Sequence, residues 1–492
     1  MSTTADRFID HLTARTGTGA AAPPDLIARV RAAFAPGGFA AVLAPDSADG
    51  AAAVLAVCSA EGWPVLPIGA ATWLDNRRRP SGGHDAAPAS GAGRATGRGN
   101  ASTGGASDDG HDAANAADAA DPAASSAGPT HPPVLLSTMR LNRITEHEPA
   151  DLVIGVQAGV TLEQLGGVLA AKQQWLPLDP AAAPHATIGA VVANASAGPL
   201  RAGHGTPRDM VLGIEIATGD GRLLRFGGRV VKNVAGYDGV RLTVGSRGAL
   251  GLITALYLRV RGAARADRTL AVACGAGEAG ARGGADLALA LRDAAECDAI
   301  ELLSPAAAGR TGFVNPGWHV VVRLLGSDAA VAEGLERCHR IVNGRPPGGQ
   351  IDRPAAEVPS GVWELLAGLE ASAGTALRFT GPATGLADAA GSLCRHAGAG
   401  AEDDWLMAAH AADGVIRLWR MSGTDETGPH DPAGWDEITA RGAWTMRYDR
   451  PCDFATNGRR EQRPDREALR TLTGRLRAVF DPAGIMRGPG EV

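Results

Sequence analysis

The stretch from 184 to 261 limits this chain more than any other. It reads PHATIGAVVANASAGPLRAGHGTPRDMVLGIEIATGDGRLLRFGGRVVKNVAGYDGVRLTVGSRGALGLITALYLRVR. Small residues crowd its start: Thr187, Gly189, Ala190, Ala193, Asn194, Ala195, Ser196, Ala197 and Gly198. Strand-like runs at 211–217 and 223–226 follow. Then come the pair Gly227 and Gly228, a polar string at 232–238, and a glycine-bounded turn at 245–248. A backbone this free of side chains can approach a ligand closely and aim its N–H groups at it. Taken alone, the same glycines serve a tightly packed alanine-rich core equally well.

A chain of 492 residues is too long for one core, so two or three domains are expected. Its 45% hydrophobic and 20% charged residues fit a soluble globular protein. A net charge of −6 gives no reason to propose a nucleic-acid partner. The six cysteines lie far apart with no CxxC pair, which argues against an iron–sulfur cluster or zinc site held by this chain alone. No metal site and no disulfide framework are expected. The first residues have no apolar core of signal-peptide length, and no apolar run is long enough to span a bilayer. The expected location is cytoplasmic.

Residues 1–35 read as a helical lead-in, with Leu26, Ile27, Val30 and Phe34 on one face. A β-α-β pattern follows: a strand at 39–43, a helix at 51–60 ended by Gly62, and a strand at 65–68 leading into Gly69. From about 75 to 133 the chain is Gly, Ala, Ser, Asp, Asn and Pro with almost no large apolar side chain. Such a segment buries too little surface to offset its ordering entropy and reads as a disordered insertion. Order resumes with a strand at 134–137 and an alternating strand at 152–158. Thr161 and Gln164 then form a capping box before a helix whose apolar face is Leu162, Leu165, Val168 and Leu169. Beyond about 265, strands such as 318–325 and 415–421 alternate with helices such as 329–342 and 359–371, which suggests a separate α+β domain. A last helix at 465–480 carries Leu469, Leu472, Leu476 and Val479 on one face.

The order of these motifs resembles one family. AAVLAPDSADGAAAVLAVCSAEGWPVLPIGAAT (40–72), LNRITEHEPADLVIGVQAGVTLEQL (141–165) and nearly all of 185–260 are similar to the two-lobed FAD-binding domain of the vanillyl-alcohol oxidase (PCMH-type) superfamily. Within it, FGGRVVKNVAGYD (226–238) and RLTVGSRGALGLIT (241–254) resemble the FAD-binding subunits of bacterial glycolate oxidases. The resemblance implies an α+β fold: a PCMH-type FAD-binding domain over 36–262, interrupted by the insertion, an α+β cap over 263–445, and a segment at 446–492 that returns to the FAD domain.

It also implies where the cofactor sits. The pyrophosphate loop falls at Pro67, Ile68, Gly69, Ala70, Ala71 and Thr72, where phosphates need N–H donors with little bulk nearby. A second contact falls at Thr187, Ile188, Gly189 and Ala190 with Asn194, Ser196 and Gly198, and a third at Gly248, Gly251 and Ile253. Lys232 and Tyr237 place polar groups near the flavin or stitch the lobes together. Arg208 contacts the cofactor or pairs with Asp209 to hold a turn. The loop at 67–72 departs from the family's glycine run at Ala70 and Ala71, and the tail after FDPAGI lacks the family's Asn. With no His at 67–72, FAD is expected to be non-covalent. His319, His339, His396, His410 and His430 are scattered without an HxH pair, so no catalytic residue is assigned.

The implied function is the FAD-binding subunit of a glycolate oxidase complex, oxidising glycolate or another small 2-hydroxy acid to the 2-oxo acid. The expected partners are a catalytic FAD subunit and an iron–sulfur subunit, with membrane contact only through them, at the inner membrane. The alternatives are a stand-alone FAD-dependent 2-hydroxy-acid dehydrogenase and a structural subunit with a decayed flavin site.

Overall fold

The computed structural model describes residues 8, 10–12, 14–15, 22–33, 38–70, 131–181, 185–229, 238–344, 355–373, 375–396, 405–420, 444–450 and 466–487. Most of the 75–133 expectation, the string at 230–237, and Met421 and His430 lie outside them. All the described residues belong to one compact unit.

The lead-in forms α1 (Pro24–Ala33). The β-α-β reading holds: β1 (Ala41–Leu43), α2 (Ala48–Glu61) and β2 (Val65–Ile68) follow in order. Ser47 caps α2 by accepting from the Gly50 N–H, and Gly62 ends it at φ 72°. Chain order returns at β3 (Val134–Ser137), which lies between β1 and β2 and runs parallel to both. Both faces of this sheet are buried, as a parallel sheet requires. Leu43, Val65, Val134 and Leu136 pack toward α2, while Val42, Leu66, Ile68 and Leu135 pack with Leu26 and Val30 of α1.

A second sheet has the order β4 (Ile144–Glu148), β5 (Val153–Gln157), β9 (Leu252–Arg259), β7 (Val211–Ala217), β8 (Leu223–Gly227), all antiparallel. The short strands β6 (Gln174–Trp175) and β10 (Arg261–Gly262) pair antiparallel as a separate ribbon. β4 was not foreseen: ITEHE alternates weakly and leaves its charges half out of the core. β5 was expected to bury one face. It is buried on both except at Gln157: α3 (Leu162–Ala170) and α4 (Ile188–Ala193) pack on the face of Ile154 and Val156, and the side chains of Thr145 and Tyr257 close over Gly155 on the other. The capping box of Thr161 and Gln164 is present, and Leu165 and Leu169 are buried. Val168 is not; it is exposed at the end of the stripe, where no element covers it among the described residues.

α2 lies between the two sheets, which together form the first lobe, and shares a core with Ala217, Leu223 and Leu252. Its alanines let both sheets approach. Gly221 marks how closely: at φ 82° a Cβ there would lie 2.7 Å from the Ala52 carbonyl oxygen and 2.7 Å from Ala56 Cβ.

The cap is an eight-stranded antiparallel sheet. Its order is β14 (Ala356–Val358), β11 (Ala266–Ala273), β13 (His319–Gly326), β12 (Ala299–Leu303), β16 (Trp405–His410), β17 (Val415–Arg420), β15 (Thr375–Thr380), β18 (Thr445–Arg450). Helices α5 (Gly277–Ala295), α6 (Asp328–Asn343) and α8 (Leu386–His396) cover one face. α7 (Val362–Ser372) packs on the other, beside Leu200 from the first lobe.

The last helix, α9 (Arg466–Phe480), corrects the sequence reading of its stripe. Leu472 and Val479 are exposed, at 56% and 60%. Its anchor is the C-terminal end: Phe480 enters the five-stranded sheet's core, and the Asp481 carboxylate accepts from Ile485 N–H (3.0 Å) and Met486 N–H (2.8 Å). The tail then runs along β2, with the Arg487 N–H donating to the Val65 carbonyl.

Substituting Gly221→Ala should cost about 2–4 kcal/mol, from the left-handed backbone and the overpacked contact with α2 together. Denaturant unfolding of the variant checks this; an unchanged midpoint would contradict the tight inter-sheet contact.

Candidate functional site

Three loops that are distant in sequence meet at the C-terminal end of β2. Thr138 N–H donates to Ile68 O at 3.0 Å, and Ser137 Oγ donates to Gly69 O at 3.0 Å. The segment at 186–190 is pinned to the turn at 158–160 by Ile188 N–H to Val160 O and Gly189 N–H to Ala158 O, each 2.8 Å. The 245–248 turn is tied to the end of α4 by Arg247 N–H to Ala193 O at 2.8 Å and Gly245 N–H to Val192 O at 3.1 Å.

Glycines set how near these segments come. A Cβ on Gly69 would lie 2.3 Å from Thr187 Oγ1 and 3.1 Å from Ala190 Cβ. One on Gly248, at φ 82°, would lie 2.9 Å from Pro67 Cγ. Pro67, Gly69, Thr187, Ala190 and Gly248 are therefore brought together, with Ala70 buried beside them.

The hydroxyls of Thr138, Thr187 and Ser246 are buried and have no hydrogen-bond partner. Thr187 stands at the N-cap of α4, yet its side chain makes no capping bond. A buried hydroxyl without a partner costs about 1–3 kcal/mol. Three of them, one on each of three loops that meet the 67–70 loop, are what a polar ligand with many acceptors would satisfy. The diphosphate and ribityl hydroxyls of a flavin dinucleotide have that chemistry, so the residues present fit FAD. Thr138 and Ser246 were not foreseen, because a lone hydroxyl in a turn carries no sequence signal.

Other expected residues sit differently. Ile188 and Ile253 send their side chains into the core of the five-stranded sheet, leaving only backbone groups for a ligand. Gly251, at φ 141°, lets the chain pass close to Ala217 O. Asn194 is exposed and its side chain donates to Ala190 O, while Ser196 is half-buried. Gly198 donates to the Asp179 carboxylate. Arg208 is exposed on a single helical turn whose capping box joins Thr206 and Asp209. Ala71, Thr72, Lys232 and Tyr237 lie outside the described residues.

The cap face turned away from α5, α6 and α8 carries charge. Strand alternation puts Glu301 of β12, His410 of β16 and Arg417 of β17 on it, all buried. Arg417 pairs with Glu301 at 3.1 Å and also with Glu370 of α7; His410 Nδ1 meets the other oxygen of Glu301. Arg201 from the first lobe pairs with Asp413 in the β16–β17 turn, and Gly203 N–H donates to Asp298 O at 3.0 Å. Burial raises Glu301 from the ordinary range to about 7, against the pull of Arg417. Burial first, then Arg417, pushes His410 well below its ordinary value, which favours the neutral imidazole. One sequence sign of this cluster exists: a charge set between apolar neighbours, Glu301 in AIELL and Arg417 in VIRLW.

The fold defines the class: it is that of the PCMH-type FAD oxidases, two sheets that share a helix, joined to an α+β cap. Residues 123–227 match the FAD binding domain family. Among solved structures, alkyldihydroxyacetonephosphate synthase superposes with a TM-score of 0.61 at 14% identity, covering 97% of this chain and 84% of that one. More particularly, the chain is 45% identical over 131 residues to the glycolate oxidase subunit GlcE of Escherichia coli, covering 26% of this chain and 37% of that protein. It is 34% identical over 132 residues to the glycolate oxidase subunit GlcD of Bacillus subtilis, covering 27% of this chain and 28% of that protein. These matches span about a third of the relatives' lengths.

Two outcomes test this geometry. Gly69→Val should reduce FAD affinity at least about tenfold, because the side chain displaces Thr187 from the cradle; fluorescence titration with FAD reads the change. The buried acids set a pH dependence. Asp179 and Glu301 both have folded values raised to about 7, so the folded chain holds protons there that the unfolded chain has lost. Their stabilising contribution is full below the ordinary carboxylate range and is lost as pH rises through about 7. Melting temperatures from pH 5 to 8 should fall less steeply in Glu301→Gln than in the parent chain.

Proposed function

We propose that this chain is the FAD-binding subunit of a complex that oxidises glycolate or a similar small 2-hydroxy acid. The observation that carries the reading is the cradle of Gly69, Thr187 and Gly248 with its three unpartnered buried hydroxyls, in a chain with an FAD binding domain match. The choice of glycolate rests on the likeness to two glycolate oxidase subunits.

In this reading the backbone of 67–70 and 187–190 receives the diphosphate, and Thr138, Thr187 and Ser246 donate to its oxygens or to the ribityl chain. Bound FAD supplies a flavin ring that takes up two electrons and releases them singly. The chain's own part is to hold that ring between the 194–198 wall and the cap and to keep water from it. The loop at 67–72 contains no His, so the cofactor is held without a covalent bond.

The cap supports a relay role more than a catalytic one. Arg417 and Arg201 are each engaged by carboxylates, and Glu301 is taken up by His410 and Arg417. Substrate oxidation then falls to a second FAD subunit, with an iron–sulfur subunit taking the electrons onward. Among the described residues no helix is long and apolar enough to cross a membrane; contact with one comes through the partners. One observation favours the stand-alone dehydrogenase reading: the buried imidazole of His410 meets the Glu301 carboxyl on the cap face, where a base would be needed.

The deciding measurement is the visible spectrum of the purified chain before and after acid precipitation. A flavin spectrum that moves wholly to the supernatant is expected; colourless protein that cannot be reconstituted with FAD defeats the reading. Glycolate-dependent bleaching should need the partner subunits. Bleaching of the isolated chain by glycolate, abolished in His410→Gln, would favour the stand-alone enzyme instead.

A further inference from the structure

Asp179 belongs to none of the motifs above. It is the one acid in WLPLDPAAA, a stretch that otherwise buries Leu178 in the first lobe's core. Its two carboxylate oxygens accept from separate backbone donors: Gly198 N–H at 3.1 Å and Leu200 N–H at 3.0 Å. The backbones touch as well, since a Cβ on Gly198 would lie 2.0 Å from the Asp179 carbonyl oxygen.

The segment held in this way, 194–200, is the wall that leaves α4 and ends at Leu200. Leu200 itself packs into the cap's apolar face beside Trp419 and Leu406. From that cap the charges of Arg417, Arg323 and Glu301 act on the Asp179 carboxylate. Protein atoms crowd the carboxylate although part of the residue stays accessible. One side chain therefore fixes the wall's backbone and faces the cap's buried ions.

We propose that Asp179 is a positioning residue for FAD, tying the 194–200 wall to the cap seam so that the wall holds the flavin side of the cofactor in place. This rests on the FAD-binding reading above. Both N–H groups donate to the one side chain, in bonds that gain charge assistance wherever the carboxyl is ionised, and among the described residues neither N–H has another acceptor. Loss of the carboxylate frees the wall at its cap end, while the tie from Ser196 N–H to Val191 O at 2.9 Å remains at the other.

The test compares the parent chain with Asp179→Ala and Asp179→Asn by two readouts. Amide hydrogen exchange at Gly198 and Leu200 needs no cofactor; FAD affinity is read by fluorescence titration. Asp179→Ala should speed exchange at both amides and weaken FAD binding, each at least about tenfold. Asp179→Asn keeps one acceptor oxygen at nearly the same volume, so both values should fall between those of parent and alanine variant. It also carries the comparison if the alanine variant does not fold. Unchanged exchange at Gly198 and Leu200 would overturn the tether. Faster exchange with FAD affinity within twofold of the parent would overturn the positioning role. A parent chain that takes up no FAD instead defeats the functional reading, and the FAD role of Asp179 with it, while the exchange data still decide the tether.

Discussion

Everything in the first lobe depends on one close approach, that of the loop after β2 to the start of α4. With a hydrogen for a side chain, Gly69 lets its backbone settle against Thr187 and Ala190, and no larger residue fits there. The same contact brings the C-terminal end of a parallel sheet against a helix that belongs to a different, antiparallel sheet. Two sheets, each with a core of its own, then also share α2 between them. The cradle is the far end of that shared packing.

The lobe and the cap meet under a different rule. Inside the first lobe, contact is made by backbone and small apolar residues; at the seam charge joins the apolar contact of Leu200. Arg201 of the lobe pairs with Asp413 of the cap, and Asp179 of the lobe faces the cap's own set of Arg417, Glu301 and Glu370. Such a set adds little net stability over apolar packing, yet breaking one member is costly. It therefore fixes how lobe and cap sit relative to each other more than it adds to total stability.

Much of the site was legible as a string. PIGA at the end of β2, ATIGA at the start of α4 and the GSRG turn mark places where the backbone must come close, and these three do come together. The reading is silent where the candidate site rests on single side chains without a local pattern. Thr138, Ser246 and Asp179 are ordinary turn residues until the partners of their oxygens are known. Likewise Leu472 and Val479 gave α9 an apolar stripe that the described structure leaves exposed, because periodicity tells which residues share a face and not what covers it.

The sequence alone determined the local geometry: the capped α2 between Ser47 and Gly62, the capping box at Thr161, and glycines where a side chain would collide. These are set by neighbours a few residues apart, so the chain carries them in its text. Only the tertiary structure decided that Glu301, His410 and Arg417 share one buried face, that Asp179 holds Gly198 and Leu200, and that three hydroxyls stand unpartnered around one loop. Burial and pairing depend on residues up to a hundred or more positions away, as between Glu301 and Arg417, 116 apart. No local pattern records them.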